Sequence, residues 1–296
     1  QALKLWVSNF EKLNAEASKL LSGQIEVESL DGQKQIISGS DIEFELSRAG
    51  RIKYGIRTSY GVTFGNASEI LKNTFEVSEK EISVDRNLVK DAIKIAEEVE
   101  SQYKFTCVAH PGTFSFLENR KPVGREISIP PTIYPPKQNS DPIQEGIFIT
   151  ITGIPGLERL YNEAKALGLK LYSNDPSTVP GSERLLPNVI PNPKIKLQFA
   201  RSGWGSVWFS QLSGTPFVCP EFDPLDDPEI YFNNKCIEKL GLGIIYRGQP
   251  LSDILAEAEK LRPGIRKINQ DLLDKFGTYN GNEYSAKIIV DDLLSS

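Results

Sequence analysis

Three features of this sequence predict an α/β protein whose second half is built on a parallel sheet. From residue 146 onward, short apolar runs alternate with amphipathic helical stretches, the pattern of parallel strands joined by covering helices. One strand–helix junction, Ala200-Arg201-Ser202-Gly203-Trp204-Gly205-Ser206-Val207-Trp208, is crowded with small residues. A proline-dense stretch, 111–142, then divides this half from a first half of less regular pattern.

The first half yields fewer elements. Leu3–Leu21 has the apolar spacing of an amphipathic helix, and Asp31-Gly32 between two β-prone runs, 24–30 and 33–38, predicts a hairpin. Asn87–Gln102 reads as a helix and Lys104–Ala109 as a short strand. This is too little for a complete second nucleotide-binding domain, so the expectation is a reduced or irregular α/β domain over 1–110. The stretch 111–145, with Pro130-Pro131 and Pro135-Pro136, is stiff and extended and reads as a linker or an edge segment.

The domain over 146–296 is more legible. Gly146–Thr152 is a strand ending in the turn Gly153-Ile154-Pro155-Gly156. Leu157, Leu160, Tyr161, Ala164 and Leu167 form a helical stripe closed by Gly168, and Leu169–Ser173 is the next strand. Residues 174–193, rich in Pro, Ser and Asn, make an exposed loop. Lys194–Ala200 is a strand, and Trp204, Val207, Trp208 and Leu212 mark one face of the helix after it. Ser213-Gly214 stops that helix, Phe217–Phe222 is a buried strand, and Asp227 caps a helix that has Pro228 at its first position and Gly241 beyond its end. Gly243–Arg247 is a strand, Leu251–Phe276 a helix broken near Pro263-Gly264, and Asn282–Leu294 a last amphipathic helix.

Composition narrows the function classes. With 296 residues, 39% apolar and 25% charged, the chain is long enough for one or two globular cores. Its net charge of −5 argues against nucleic acid or an anionic membrane as the main partner. No apolar run approaches the ~20 residues of a membrane span, and the first residues lack a signal-peptide pattern. Cys107, Cys219 and Cys236 are odd in number and lack metal-ligand spacing, so they read as buried thiols of a reducing compartment, with the cytoplasm the expected address. One sequon, Asn66-Ala67-Ser68, occurs.

A strand feeding a Gly/Ser-rich helix start presents unpaired backbone N–H groups at the positive end of the helix dipole, which suits a phosphate. Close strand–helix packing also selects glycine, and the sequence leaves both readings of Ser202–Ser206 open. The residues beyond the turn are informative: Gly214-Thr215-Pro216, an acidic loop, an Asn233-Asn234 helix, and the turn Gly241-Leu242-Gly243. This block, about half the chain, resembles the carboxyl-terminal nucleotide-sugar domain of GT-B glycosyltransferases, UDP-glycosyltransferases in particular.

That resemblance implies a Rossmann-like domain binding a nucleotide-diphosphate sugar, of UDP type, as substrate rather than cofactor, at an interdomain crevice. Ser202, Gly203, Trp204, Gly205 and Ser206 would hold the diphosphate without a metal, with Gly153 approaching it from a second turn. Asp226, Asp227, Glu229 and Asn233 would face the donor sugar, since carboxylates accept paired hydrogen bonds from vicinal hydroxyls. Asp227 also suits a helix cap, and Asp223 stands nearby. Related transferases place Asp-Gln where this chain has Asp227-Pro228. Arg201 suits either a phosphate contact or a surface charge.

His110, the sole histidine, suits a general base at neutral pH, but it does not lie where the family places its base. An acid among Asp41, Glu43 and Glu45 stays open. Arg48, Arg51 and Arg57, with Thr58–Gly61, suit contact with an anionic acceptor but read better as a solvated basic face. The expected activity is metal-independent transfer of a sugar to a small or lipid-like acceptor. The alternatives are a nucleotide-sugar-binding or scaffold protein without turnover, and a UDP-N-acetylglucosamine 2-epimerase-like enzyme.

Overall fold

A computed structural model describes residues 24–28, 34–38, 42–46, 58–150 and 157–295. The expected helix Leu3–Leu21, the Asp31-Gly32 turn, Asp41, Arg48, Arg51, Arg57 and the turn carrying Gly153 lie outside these residues. The chain forms two compact units: 1–109 with 119–128 and 291–296, and 110–118 with 129–290.

In the first unit, β1 (Gln24–Glu28) and β2 (Lys34–Ser38) pair antiparallel, Glu28 opposite Lys34. A second sheet has the order β3 (Ile42–Leu46), β4 (Thr58–Thr63), β5 (Tyr103–Ala109), β6 (Glu126–Ile129). Its first three strands run parallel. Ser59, Tyr60 and Gly61 are buried within β4 rather than on a solvated face, with Tyr60 against Phe105, ring centroids 4.8 Å apart.

Two helices follow β4 and precede β5: α1 (Ala67–Glu76) and α2 (Arg86–Glu100). Asp85 caps α2 by accepting from the Asn87 and Leu88 N–H groups. The face that α1 buries is polar: Ser68, Glu69 and Thr74. Each has a partner, because burying a polar group without one costs about 1–3 kcal/mol. Ser68 donates from both its hydroxyl and its N–H to Glu100, and Thr74 donates to the Ile70 carbonyl at 2.7 Å. Glu69 accepts from Arg120, whose guanidinium also bonds Glu126 at 2.7 Å. Asn66, the sequon asparagine, is buried and donates to Glu126 at 2.6 Å.

The second unit is a six-stranded sheet of β7 (Gly146–Ile149), β8 (Lys170–Ser173), β9 (Glu183–Arg184), β10 (Ile195–Phe199), β11 (Phe217–Pro220) and β12 (Gly243–Tyr246). The spatial order is β12-β11-β10-β7-β8-β9, and every neighbouring pair is parallel. The chain thus winds outward from β7 in one direction, returns to the centre at β10, and winds outward in the other. The switch point of a doubly wound sheet is therefore between β7 and β10, where such sheets bind ligands beyond the carboxyl ends of the strands.

The helices of this unit are α3 (Glu158–Ala166), α4 (Trp204–Ser213), α5 (Pro228–Leu240), α6 (Leu251–Phe276) and α7 (Gly281–Leu294), the last reaching into residues counted with the first unit. α4 and α5 end at Gly214 and Gly241 in the left-handed conformation, φ 68° and 65°. The expected break at Pro263-Gly264 does not occur, and α6 is continuous. Its buried stripe of Ile254, Ala258, Ile265 and Leu272 spans the proline. Arg262 beside it donates to the Gly214 and Lys196 carbonyls. Tertiary packing thus outweighs a local cost of about 3 kcal/mol.

Candidate functional site

The ends of β7 and β10 are tied side by side, the Thr150 N–H donating to the Phe199 carbonyl at 2.9 Å. Beyond β10 come Ala200, Arg201 and Ser202, and then Gly203 as the N-cap of α4. This cap makes no side-chain hydrogen bond, so the first N–H groups of α4 lack the partner that Asp85 and Asp227 give theirs. The Ser202 hydroxyl beside it is buried and, among the described residues, has no hydrogen-bond partner.

The glycines at this start are not explained by backbone or packing. Gly203 has φ −69° and ψ 136°, a conformation open to any residue. Among the described residues, a Cβ at Gly203 or at Gly205 would meet nothing within 4 Å. Gly243 is the contrast: a Cβ there would stand 2.7 Å from the Phe217 carbonyl oxygen. The close approach of the neighbouring strand and of Ile237 on the preceding helix therefore accounts for Gly243, and nothing comparable accounts for Gly203 or Gly205 among the described residues. What these two leave is open space before an uncapped helix dipole. Gly205 is exposed and Ser206 half-buried.

Trp204 and Trp208 anchor the helix below, with ring centroids 5.5 Å apart. The Trp204 indole N–H donates to Asn233 Oδ1 at 2.8 Å and Thr113 Oγ1 at 3.0 Å. The Trp208 indole N–H donates to the Pro111 carbonyl at 2.7 Å. Asn233, from α5, is the hub. Its Nδ2 donates to the Ser202 carbonyl at 2.9 Å and to Glu229 Oε1 at 3.0 Å, and its Oδ1 also accepts from Thr113 at 3.0 Å. All four hydrogen-bonding positions of its amide are thus spent on protein. Thr113 and Pro111, which the sequence did not single out, belong to this site because of contacts 120 and 97 residues away along the chain.

The acidic residues divide by role. Asp227 caps α5, accepting from the Glu229 N–H at 3.1 Å. Glu229 is buried in the first turn, against Asn233 one turn further on. Asp226 lies in the loop before the helix and forms a two-pronged ion pair with Arg201, one arm from Nε to Oδ2 at 3.0 Å. Its Oδ1 also accepts from the Asp227 N–H at 2.7 Å.

His110 stands just before the segment that contacts Trp204 and Trp208, in the same unit as the turn. Its Nδ1 lies 3.0 Å from the Ser115 hydroxyl, which accepts from the Gly112 N–H at 2.7 Å. The residue reaches the surface, yet crowding of the ring, then the charge of Lys275, lowers its pKa. The imidazole is therefore neutral at pH 7. Burial pushes the thiols of Cys107 and Cys236 up to about 12 and raises that of Cys219, so all three stay protonated. Among the described residues no group of three or more His, Cys, Asp or Glu is placed to hold a metal, and no helix is long and apolar enough to cross a membrane.

A doubly wound parallel sheet with an uncapped helix start at its switch point, in a chain that has a second unit with three parallel strands, is the GT-B type of α/β architecture. Solved structures bear this out. The chain is similar to LpCGTa in complex with UDP, at TM-score 0.57 and 12% identity, over 100% of this chain and 81% of that one. A UDP-glucose: anthocyanidin 3-O-glucosyltransferase in complex with UDP gives 0.56 and 12% over 99% and 81%. UGT2 of Phytolacca americana, complexed with UDP-2fluoro-glucose and pterostilbene, gives 0.54 and 15% over 81% and 71%. The sequence matches no protein-family model and no curated protein. At such low identity, what is shared is the fold.

Proposed function

We propose that this chain is a glycosyltransferase that binds a nucleotide-diphosphate sugar, of UDP type, and passes the sugar to a small or lipid-like acceptor. The observation that carries the reading is the pair of glycines at an uncapped helix start, with open space where a Cβ would stand, beyond the central strand of the sheet. In this reading the N–H groups of Trp204 and Gly205 and the Ser202 and Ser206 hydroxyls hold the diphosphate, the Ser206 N–H being already spent on the Gly203 carbonyl at 3.0 Å. They stabilise the charge that grows on the leaving nucleotide as the glycosidic bond breaks, so that this task needs no metal. Asn233 positions the turn, and Glu229 and Asp226 are assigned to the sugar hydroxyls. Gly153 is assigned to the second turn. Two of the similar structures hold UDP and a third a UDP-sugar analogue, by their descriptions, which supports UDP as the first nucleotide to try.

A second reading, nucleotide-sugar binding without turnover, is favoured by one contact. Ser115 occupies Nδ1 of the sole histidine. If the hydroxyl donates, the proton sits on Nε2 and neither nitrogen is left to accept one.

Calorimetric titration with UDP, GDP, dTDP and their sugar conjugates tests the first reading, and sugar-transfer assays of wild type and His110→Ala separate the two. Saturable binding of one nucleotide, with turnover that falls in His110→Ala at unchanged nucleotide affinity, is the expected result. Binding with no transfer to any acceptor tried, in either protein, would favour the second reading. Failure of every nucleotide to bind would sink both.

A further inference from the structure

We propose that Asp226 is an internal stand-in for the ligand's phosphate: in the unliganded protein it occupies the Arg201 guanidinium, which exchanges it for a diphosphate oxygen on binding. The inference rests on the reading of the Ser202–Ser206 turn as a diphosphate site and adds a displacement step to it.

Four observations carry it. Arg201 directly precedes Ser202 and the uncapped start of α4. Both arms of its guanidinium are committed to one carboxylate, in the two-pronged geometry that a phosphate also takes. The pair is exposed, with 49% and 32% of the two side chains accessible, so breaking it costs little. The loop that carries Asp226 is joined to the turn a second time, through Asp227, Glu229, and Asn233 bound to the Ser202 carbonyl. Releasing Asp226 therefore leaves the loop anchored.

Nearby sits the Ser202 hydroxyl, buried and without a partner among the described residues. A second arrangement of the turn, with a ligand oxygen delivered to it, would satisfy that group. The exchange conserves charge pairing: the guanidinium keeps an anionic partner throughout, and Asp226 is freed to accept hydrogen bonds from hydroxyls beside the phosphate.

The test is a double-mutant cycle of binding affinities for UDP and for inorganic pyrophosphate, measured by calorimetry on wild type, Asp226→Asn, Arg201→Ala and the double variant. Asparagine keeps the volume of Asp226 and an oxygen for the Asp227 N–H, so the loop turn survives; far-UV circular dichroism and a melt check each variant. Removing the competitor should tighten both ligands about two- to five-fold, the strength of an exposed pair. Arg201→Ala should weaken both, and Asp226→Asn should add nothing in the Arg201→Ala background. Weaker binding in Asp226→Asn overturns the proposal. So does an equal gain in both backgrounds, which would be simple removal of a negative charge. Absence of any binding to wild type removes instead the diphosphate reading itself.

Discussion

Asn233 shows how much of this site depends on one side chain. Truncation to alanine would strand the Ser202 carbonyl, remove a donor from the Glu229 carboxylate and take one of two acceptors from the Trp204 indole. Each buried group left unpaired costs about 1–3 kcal/mol, so Asn233→Ala should lose about 3 kcal/mol of stability in a urea titration. Its tryptophan emission should move as the Trp204 environment loosens. A loss below about 0.5 kcal/mol would mean that water replaces the amide and that the hub is not one. The sequence offered Asn233 as a sugar contact; its partners Thr113 and Ser202 are 120 and 31 residues away, and no local pattern encodes such pairings.

At the scale of elements, legibility follows how apolar the buried face is. The start of α4 was readable because Trp204, Val207 and Trp208 are all buried at helical spacing. The helix α5 was readable because Asp227, Pro228 and Gly241 each do a local job. By contrast, α1 was missed because it buries Ser68, Glu69 and Thr74, a face with no hydrophobic period. The strand β4 was missed because its sequence, TSYGVT, is polar and carries Gly61, where a Cβ would come within 2.9 Å of Thr106.

What holds α1 is a buried charge network. Arg120, Glu69 and Glu126 keep only 18%, 10% and 8% of their side chains exposed. Burial raises the pKa of Glu69 in spite of the Arg120 guanidinium beside it. Arg120→Met would leave the two carboxylates facing each other without the cation they share, and the loss should be about 3–5 kcal/mol by chemical denaturation. A cost under about 1 kcal/mol would mean that solvent already screens the trio.

For the whole molecule, the winding order of one sheet places the Ser202–Ser206 turn at its switch point, and that topology is what the similar structures share. The fold class could be read from alternating elements; the position of the switch point could not, because strand order depends on which strands pair rather than on any single strand's composition. The central claim, that Gly203 and Gly205 are kept for a phosphate at the expense of stability, has a direct test in Gly203→Asp. The N-cap backbone already suits aspartate and there is room for it. The side chain would cap α4 as Asp227 caps α5, worth about 0.5–1 kcal/mol and about 2 °C. It would also put a carboxylate where the diphosphate should sit.

The decisive measurement is therefore a thermal melt of wild type and Gly203→Asp, each with and without saturating UDP. Without ligand the variant should melt higher than wild type. UDP should stabilise wild type by about 2.7 kcal/mol at a hundred times its Kd and leave the variant unmoved. An equal UDP shift in both proteins, or a variant that melts lower without ligand, would contradict the account.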